Sequence, residues 1–155
     1  MGSIKGFVFS PDGSYLAVIS LYDKLELWTV DGELIRSFGE HPWRVSDVAI
    51  GPGGKTIATV CFDGKVRLWS IDGDLLHTME GHTHHVLCVA FSPDGSMLIS
   101  GSRDRTVKLW SVRGNLVRTI EGPQTAEIGG VAFSPDGKYL AHGSWNNTVY
   151  LWSLE

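Results

Sequence analysis

The sequence predicts an all-β protein made of four similar copies of one unit. Tryptophans that follow a leucine recur at spacings of 41, 41 and 42 residues, at Trp28, Trp69, Trp110 and Trp152. Prolines in turn-like segments recur at the same three spacings, at Pro11, Pro52, Pro93 and Pro135. The chain shows no helical apolar period, and short apolar segments alternate with turn residues throughout. A fixed period of this length indicates one supersecondary unit per copy.

Each copy is expected to contain four antiparallel strands, which are clearest in the third copy. Its first strand, VLCVAF, ends at a Ser-Pro-Asp-Gly turn, where proline presets φ and glycine accepts the positive φ that follows. The segments MLISGS, TVKLWSV and NLVRTI are its predicted second, third and fourth strands. In the first two copies, Asp31-Gly32 and Asp72-Gly73 predict two-residue hairpin turns between the third and fourth strands.

The fourth copy ends with TVYLWSLE, Thr148 to Glu155, which aligns with the third strand of the other copies. The sequence therefore predicts fifteen strands, with three in the last unit. Thr148 to Ser153 would then be an edge strand, whose unpaired backbone groups need a partner or a cover.

Composition and charge exclude several function classes. The 155 residues are 43% hydrophobic and 19% charged, as in globular domains. The net charge is −4 and the basic residues are scattered singly, so we expect no nucleic-acid partner. No apolar run approaches the roughly 18 residues of a membrane span and no signal-peptide pattern is present, so we expect no membrane partner and a cytoplasmic location. Cys61 and Cys88 are expected to be buried free thiols.

A four-stranded unit repeated about every 40 residues, with Gly-His before its first strand and Trp in its third, resembles the WD-repeat β-propeller family. The resemblance covers essentially the whole chain as a single four-blade segment. It implies blades at about 3–38, 43–79, 84–120 and 126–154. The Met-Gly-Ser start and Leu-Glu end suit a fragment of, or a protein engineered from, a longer bacterial WD-repeat protein.

The resemblance also implies a buried hydrogen-bond relay in each blade, from a His before the first strand through a Ser or Thr and an Asp to the Trp. Two copies carry all four residues, namely His41, Thr59, Asp63 and Trp69, and His82, Ser100, Asp104 and Trp110. The first copy has Val18 and Tyr22 at the Ser and Asp positions, and the fourth has His142 and Asn146. We expect a structural relay and no catalytic residues, because no Gly-x-Ser-x-Gly nucleophile turn is present.

The histidines of HTHH are a candidate metal site, since His82, His84 and His85 could offer imidazoles at one rim. However, the relay uses His82, and adjacent residues of an extended strand point to opposite sides. No carboxylate or cysteine stands at ligand spacing, so we expect neither a metal nor another cofactor.

In propellers of this family, partners commonly dock on the loops before each first strand and between the second and third strands. We call this surface the loop face. Its first loops carry Trp43, Arg44, His84, His85 and Glu127, and its second loops carry Leu21, Phe62, Arg103 and Trp145. Aromatic residues and arginine are enriched in binding hot spots, so this set is the predicted partner-binding site. The alternative is that these are ordinary surface aromatics or pack on neighbouring blades.

Four blades are too few for a closed ring, since WD-type propellers usually need about seven. Two copies would give an eight-bladed ring with two-fold symmetry, so we expect a homodimer. The predicted function is a non-enzymatic protein–protein interaction scaffold that binds an unidentified protein or peptide. One alternative is an engineered or excised fragment with no native biochemical activity. Another is a propeller enzyme or small-ligand binder using the central channel, although Asp47 is the one acidic residue of the innermost strands beyond the rim.

Overall fold

A computed structural model describes residues 4–20, 22–39, 41–122 and 126–155, and within these ranges the regular secondary structure is β-sheet. The strands are β1 (Ile4–Phe9), β2 (Tyr15–Ser20), β3 (Leu25–Thr29), β4 (Leu34–Ser37), β5 (Val45–Ile50), β6 (Thr56–Cys61), β7 (Val66–Ser70), β8 (Leu75–Met79), β9 (Val86–Phe91), β10 (Met97–Ser102), β11 (Val107–Ser111), β12 (Leu116–Ile120), β13 (Ile128–Phe133), β14 (Tyr139–Ser144) and β15 (Thr148–Ser153).

These strands form four antiparallel sheets in which neighbours in sequence are neighbours in space. The sheets contain β1–β4, β5–β8, β9–β12 and β13–β15, and we call them the first to fourth blades. Each blade is a meander, with its first strand innermost, as the contacts between β5, β9 and β13 indicate. The predicted all-β partial propeller with a three-stranded last blade is confirmed.

The turn between the first and second strands is held by its own side chains. In the first blade, the Ser10 hydroxyl donates to Asp12 Oδ1 over 2.6 Å, and the backbone N–H of Ser14 donates to the same oxygen. Gly13 completes the turn at φ +72°, a conformation that side chains with a Cβ rarely adopt. The hydrogen bonds from Ser10 and then Ser14 lower the pKa of Asp12 to about 2. The Ser-Pro-Asp-Gly turn is therefore stabilised by contacts among its own residues.

The turn between the third and fourth strands differs from the predicted two-residue hairpin. The Thr29 N–H donates to Glu33 O, and the Gly32 N–H donates to Thr29 O, so the loop contains three residues. Gly32 has φ +89°, whereas Asp31 does not have positive φ, as a two-residue type I′ turn would require. The glycine instead lies in a bulge after an ordinary turn, and the strand register shifts next to it.

The hydrophobic core lies between successive blades. Leu25 and Leu27 of the first blade pack with Ile57 and Trp69 of the second in one buried cluster. Equivalent clusters join the second to the third blade and the third to the fourth. Burying one such leucine contributes about 2 kcal/mol, so each blade is stabilised mainly by its neighbours.

Two faces of the described structure have no blade against them. Phe7 and Phe9 of the first blade are 62% and 55% exposed, and we call their surface the rear end face. Val149 and Leu151 of the fourth blade are 75% and 68% exposed, and we call theirs the front end face. The residues equivalent to Val149 and Leu151 in the third blade, Val107 and Leu109, are buried. The front end face therefore exposes side chains at positions that are buried in the third blade.

Candidate functional site

The third blade contains a complete chain of buried hydrogen bonds. The Asp104 carboxylate can only accept, so His82 Nδ1–H donates to its Oδ2 over 2.8 Å. The Trp110 indole N–H donates to Ser100 Oγ, and the Ser100 hydroxyl donates to His82 Nε2, both over 2.8 Å. Each bond satisfies a group that would be costly to bury alone. The four side chains therefore brace one another inside the blade.

The acidity of Asp104 keeps this relay oriented. Burial raises its pKa, but hydrogen bonds from His82 and Thr106 outweigh that effect and hold the pKa well below its usual range. The Thr106 hydroxyl donates to Oδ1 over 2.7 Å, and the backbone N–H of Thr83 donates to Oδ2 over 3.0 Å. The carboxylate therefore remains ionised and holds His82 in one tautomer near neutral pH.

The second blade departs from the expected relay at its aspartate. His41 Nε2 and the Trp69 indole nitrogen each lie 3.0 Å from Thr59 Oγ1, as in the third blade. Asp63, however, forms an ion pair with Arg67 over 2.6 Å, and His41 Nδ1 is buried without a hydrogen-bond partner. The expectation that Asp63 would bond to His41 does not hold in the structure.

The cause is the residue on the neighbouring third strand. Arg67 presents two donors to Asp63, at 2.6 and 3.4 Å, and so takes over the carboxylate. The equivalent residue of the third blade is Lys108, which donates to Thr119 instead and leaves Asp104 to the histidine. Without an acidic partner, His41 is disfavoured as a cation: burial first, and then the charge of Arg67, lowers its pKa to about 4.

The first and fourth blades contain no such relay within the described residues. The Trp28 indole donates to the Glu26 carboxylate over 3.1 Å. In the fourth blade, His142 occupies the Ser position and stacks on Tyr150 and Trp152, with ring centroids 5.0 and 6.2 Å apart. Both nitrogens of His142 and the indole nitrogen of Trp152 are buried without hydrogen-bond partners, and burial lowers the pKa of His142. The fourth blade therefore leaves more of its buried polar side-chain atoms without hydrogen bonds at the relay positions than the second and third blades do.

Asp47, the acidic residue of the innermost strands, is used within the scaffold. Its Oδ2 accepts the Val89 backbone N–H from the next blade over 3.0 Å, and its Oδ1 accepts the Val48 N–H over 2.9 Å. Burial raises its pKa and these two bonds oppose the rise. The carboxylate therefore links two blades, and it also lines a cavity of about 410 Å³ formed with other residues of the innermost strands.

The loop face carries a stack of three side chains at the second blade. The Arg44 guanidinium carbon lies 5.1 Å from the Phe62 ring centroid. The His85 ring also stacks on Phe62, with the two ring centroids 4.2 Å apart and an interplanar angle of 10°. The Phe62 backbone N–H donates to Arg44 O over 2.9 Å, so the two loops are also joined through their backbones. The structure thus brings three of the predicted partner-binding residues together.

A second cluster lies at the fourth blade. The Arg103 guanidinium lies 5.8 Å from the Trp145 ring centroid and forms an ion pair with Glu127 over 3.1 Å. The Trp145 backbone N–H donates to Glu127 O over 3.0 Å. The indole lies directly over Gly129, where a Cβ would overlap with its ring. The indole is positioned by several contacts and is nevertheless 60% exposed.

The remaining predicted binding residues are less tightly organised. Trp43 is 63% exposed and borders the same second-blade loops as Phe62. The His84 ring lies edge-on to His85 at 4.5 Å, and His84 Nδ1 accepts the His85 backbone N–H. Leu21 lies outside the described residues. The set therefore divides into two compact clusters and two flanking residues.

A cavity of about 250 Å³ lies between the two clusters. Its lining includes one repeat-equivalent residue from each of the four copies, at sequence spacings of 41, 41 and 42 residues. They are Lys5, Ser46, Leu87 and Gly129, and the cavity is completed by Arg44, Val45, Phe62 and Trp145. Sequence reasoning missed the first four, although the repeat register places them at one equivalent position. Lys5, Ser46 and Leu87 contribute side chains to the cavity wall, and Gly129 contributes backbone.

Another cavity, of about 530 Å³, has a simpler explanation in the sheet edge. Arg118 lines it, on the outer strand of the third blade. The equivalent residues Arg36 and His77 lie against Gly73 and Gly114, in the outer turn of the following blade. In the described residues the fourth blade has no such turn, so this cavity is the space that it would fill.

The described residues contain no group of three or more His, Cys, Asp or Glu side chains arranged to hold a metal ion. They also contain no helix long and apolar enough to cross a membrane.

Comparison with known protein families supports the architecture described above. The family model WD40 (WD domain, G-beta repeat) matches residues 32–70, 73–111 and 114–153. Each match begins near the outer strand of one blade and ends on the third strand of the next, so the third match ends with β15. A comparison with curated proteins finds no match. Repeats of this family generally act as non-enzymatic scaffolds for protein–protein interaction. The chain belongs to the WD-repeat family.

Proposed function

We propose that this chain is a non-enzymatic scaffold whose loop face binds a protein or peptide. The observation that carries the proposal is the pair of cation–aromatic clusters, Arg44–Phe62–His85 and Arg103–Trp145, on either side of one cavity. Exposed aromatic rings and arginines in one patch are typical of binding hot spots. A cytoplasmic location belongs to the same proposal, and both cysteines are free thiols, as in a reducing compartment.

The clusters suit binding because their side chains are already ordered. Trp145 is held by Arg103 and by the backbone at Gly129, so little rotamer entropy remains to be lost when a partner covers it. The loops that carry these residues are joined by backbone hydrogen bonds in the second, third and fourth blades. A partner would therefore meet a surface that needs little rearrangement.

Affinity capture with matched variants tests this proposal. Trp43→Ala and Trp145→Ala should each lose proteins that the wild-type chain captures from a lysate. Tyr139→Ala is the control, since this partly exposed aromatic residue begins β14 at the opposite rim. Identical capture by all four proteins would contradict loop-face binding, whereas capture of no protein by the wild-type chain would favour a fragment without a native partner.

The same proposal includes closure of the ring by a second copy. The front end face of one copy would pack on the rear end face of the other, and the two contacts would give eight blades. Support comes from the buried clusters between successive blades of one chain, in which Leu25 and Leu27 of one blade pack with Ile57 of the next. Unpartnered apolar faces of this kind are strongly disfavoured in water.

Light scattering after size-exclusion chromatography tests closure. The wild-type chain should have twice the mass of 17.0 kDa, whereas Leu151→Glu should shift it to the monomer by placing a charge in the contact. Leu116→Glu changes a partly exposed leucine on an outer strand and should remain dimeric. A monomeric wild-type protein would rule out the homodimer.

A further inference from the structure

We infer that the loop-face cavity selects an acidic peptide, with a carboxylate bound to Arg44 and an adjacent apolar side chain placed against Trp145. The inference rests on the proposed loop-face binding and adds the chemical class of the partner. It concerns the 250 Å³ cavity whose lining includes Lys5, Arg44, Leu87, Gly129 and Trp145.

The charged side chains at the cavity are of one sign. Among the described residues, the cationic side chains Lys5 and Arg44 line it, and no carboxylate does. Lys5 is already neutralised by Asp23 over 2.6 Å. Arg44 has no carboxylate partner among the residues that the structure describes, although it is exposed. Its guanidinium is therefore the charge in the cavity that an incoming group can satisfy.

The orientation of the Arg44 guanidinium favours a carboxylate ligand. It lies over the face of Phe62, which is itself held by stacking on His85. A guanidinium held by its face keeps its N–H edges available, and these edges match the two oxygens of a carboxylate. Because the side chain is partly ordered beforehand, less entropy is lost when the bond forms.

The Trp145 side of the cavity favours an apolar side chain. Trp145 and Leu87 provide apolar surface, and Gly129 lets the indole lie close to the backbone. Glu127, whose carbonyl oxygen accepts the Trp145 backbone N–H, has its carboxylate engaged with Arg103. The partner that fits both walls is an extended segment in which an Asp or Glu stands next to an apolar residue.

The overall charge makes the inference specific. The chain carries a net charge of −4, so acidic peptides are repelled by the molecule as a whole. Tight binding of an acidic peptide would therefore report a local site and not general electrostatic adhesion.

Selection from a displayed library of random peptides tests this inference. The wild-type chain should enrich peptides with Asp or Glu next to an apolar residue. A synthetic copy of an enriched peptide is then measured by fluorescence anisotropy against the variants. Arg44→Gln should weaken binding roughly tenfold, as expected for loss of one charge-assisted pair, and a glutamine version of the peptide should lose as much. Arg113→Gln removes an exposed arginine from the opposite rim and should leave the affinity unchanged.

The outcomes separate the inference from the function on which it rests. Neutral or basic peptides that bind in a Trp145-dependent manner would overturn the acidic partner and leave loop-face binding intact. Acidic peptides whose affinity ignores Arg44→Gln would overturn the assigned site. A selection that yields no Trp145-dependent binder would contradict both the inference and the proposed loop-face function. Circular dichroism of each variant verifies that it retains its β-structure.

Discussion

Replacing Ser100 with alanine tests the relay of the third blade. The Ser100 side chain is fully buried and its hydroxyl joins His82 to Trp110, with both distances at 2.8 Å. Alanine would leave two buried polar atoms, the imidazole nitrogen and the indole N–H, without partners. Each such loss costs about 1–3 kcal/mol, so we expect the free energy of unfolding to fall by about 3 kcal/mol. This is a large share of the stability of a typical domain.

Urea unfolding at neutral pH and fixed protein concentration measures this change. The midpoint should fall while the slope of the transition is retained, because the exposed surface is the same. Ser100→Thr is the matched control, since Thr59 makes the same two bonds in the second blade, both at 3.0 Å. This variant should lie within about 1 kcal/mol of the wild-type protein.

A double-mutant cycle with Trp110→Phe separates the relay from simple packing. If the hydroxyl and the indole act through their shared bond, the combined loss should be smaller than the sum of the two single losses by about 1 kcal/mol. A Ser100→Ala protein within about 0.5 kcal/mol of wild type, or strictly additive losses, would refute the reasoning.

Three further predictions follow from the same contacts. The pKa of buried His41 is about 4 and its ordinary value is 6.5, so the unfolded chain binds more protons than the folded chain between these pH values. The free energy of unfolding should therefore fall by about 3 kcal/mol as the pH drops from 6.5 to 4. A flat profile of urea midpoints over this range would contradict the prediction. Burial raises the pKa of both Cys61 and Cys88 to about 12. A thiol reagent at neutral pH should therefore label them in urea but not in the folded protein. Rapid labelling without urea would show that the thiols are accessible. Gly129→Ala should displace Trp145 and reduce loop-face binding as much as Trp145→Ala does; unchanged binding and tryptophan emission would show that the glycine is not needed.

The fold was predictable because its signals are local and repeated. The Ser-Pro-Asp-Gly turn is closed by contacts among its own residues, such as that of Ser10 with Asp12, so its position in the sequence locates the turn. The period of the tryptophans then places the strands between the turns. The last strand, β15, has the bounds that this register predicts, Thr148–Ser153.

The relay was predictable only in part, because its geometry depends on side chains from different strands of one blade. The relay of the third blade follows from its four residues, but in the second blade Arg67 diverts Asp63 from His41. Nothing in the Asp63 position itself distinguishes it from Asp104. The competing cation stands on a neighbouring strand, where side-chain packing determines which of the two donors reaches the carboxylate.

The sequence by itself determined the all-β architecture, the number of strands and the residues available to the loop face, since turn chemistry and alternation act over a few residues. Only the tertiary structure decided which of those residues meet. It placed Arg44 over Phe62, set Trp145 on Gly129, and brought one residue from each copy to a shared cavity. The physical reason is that these contacts join different loops of one blade, or different blades, and so depend on how strands and sheets pack against one another.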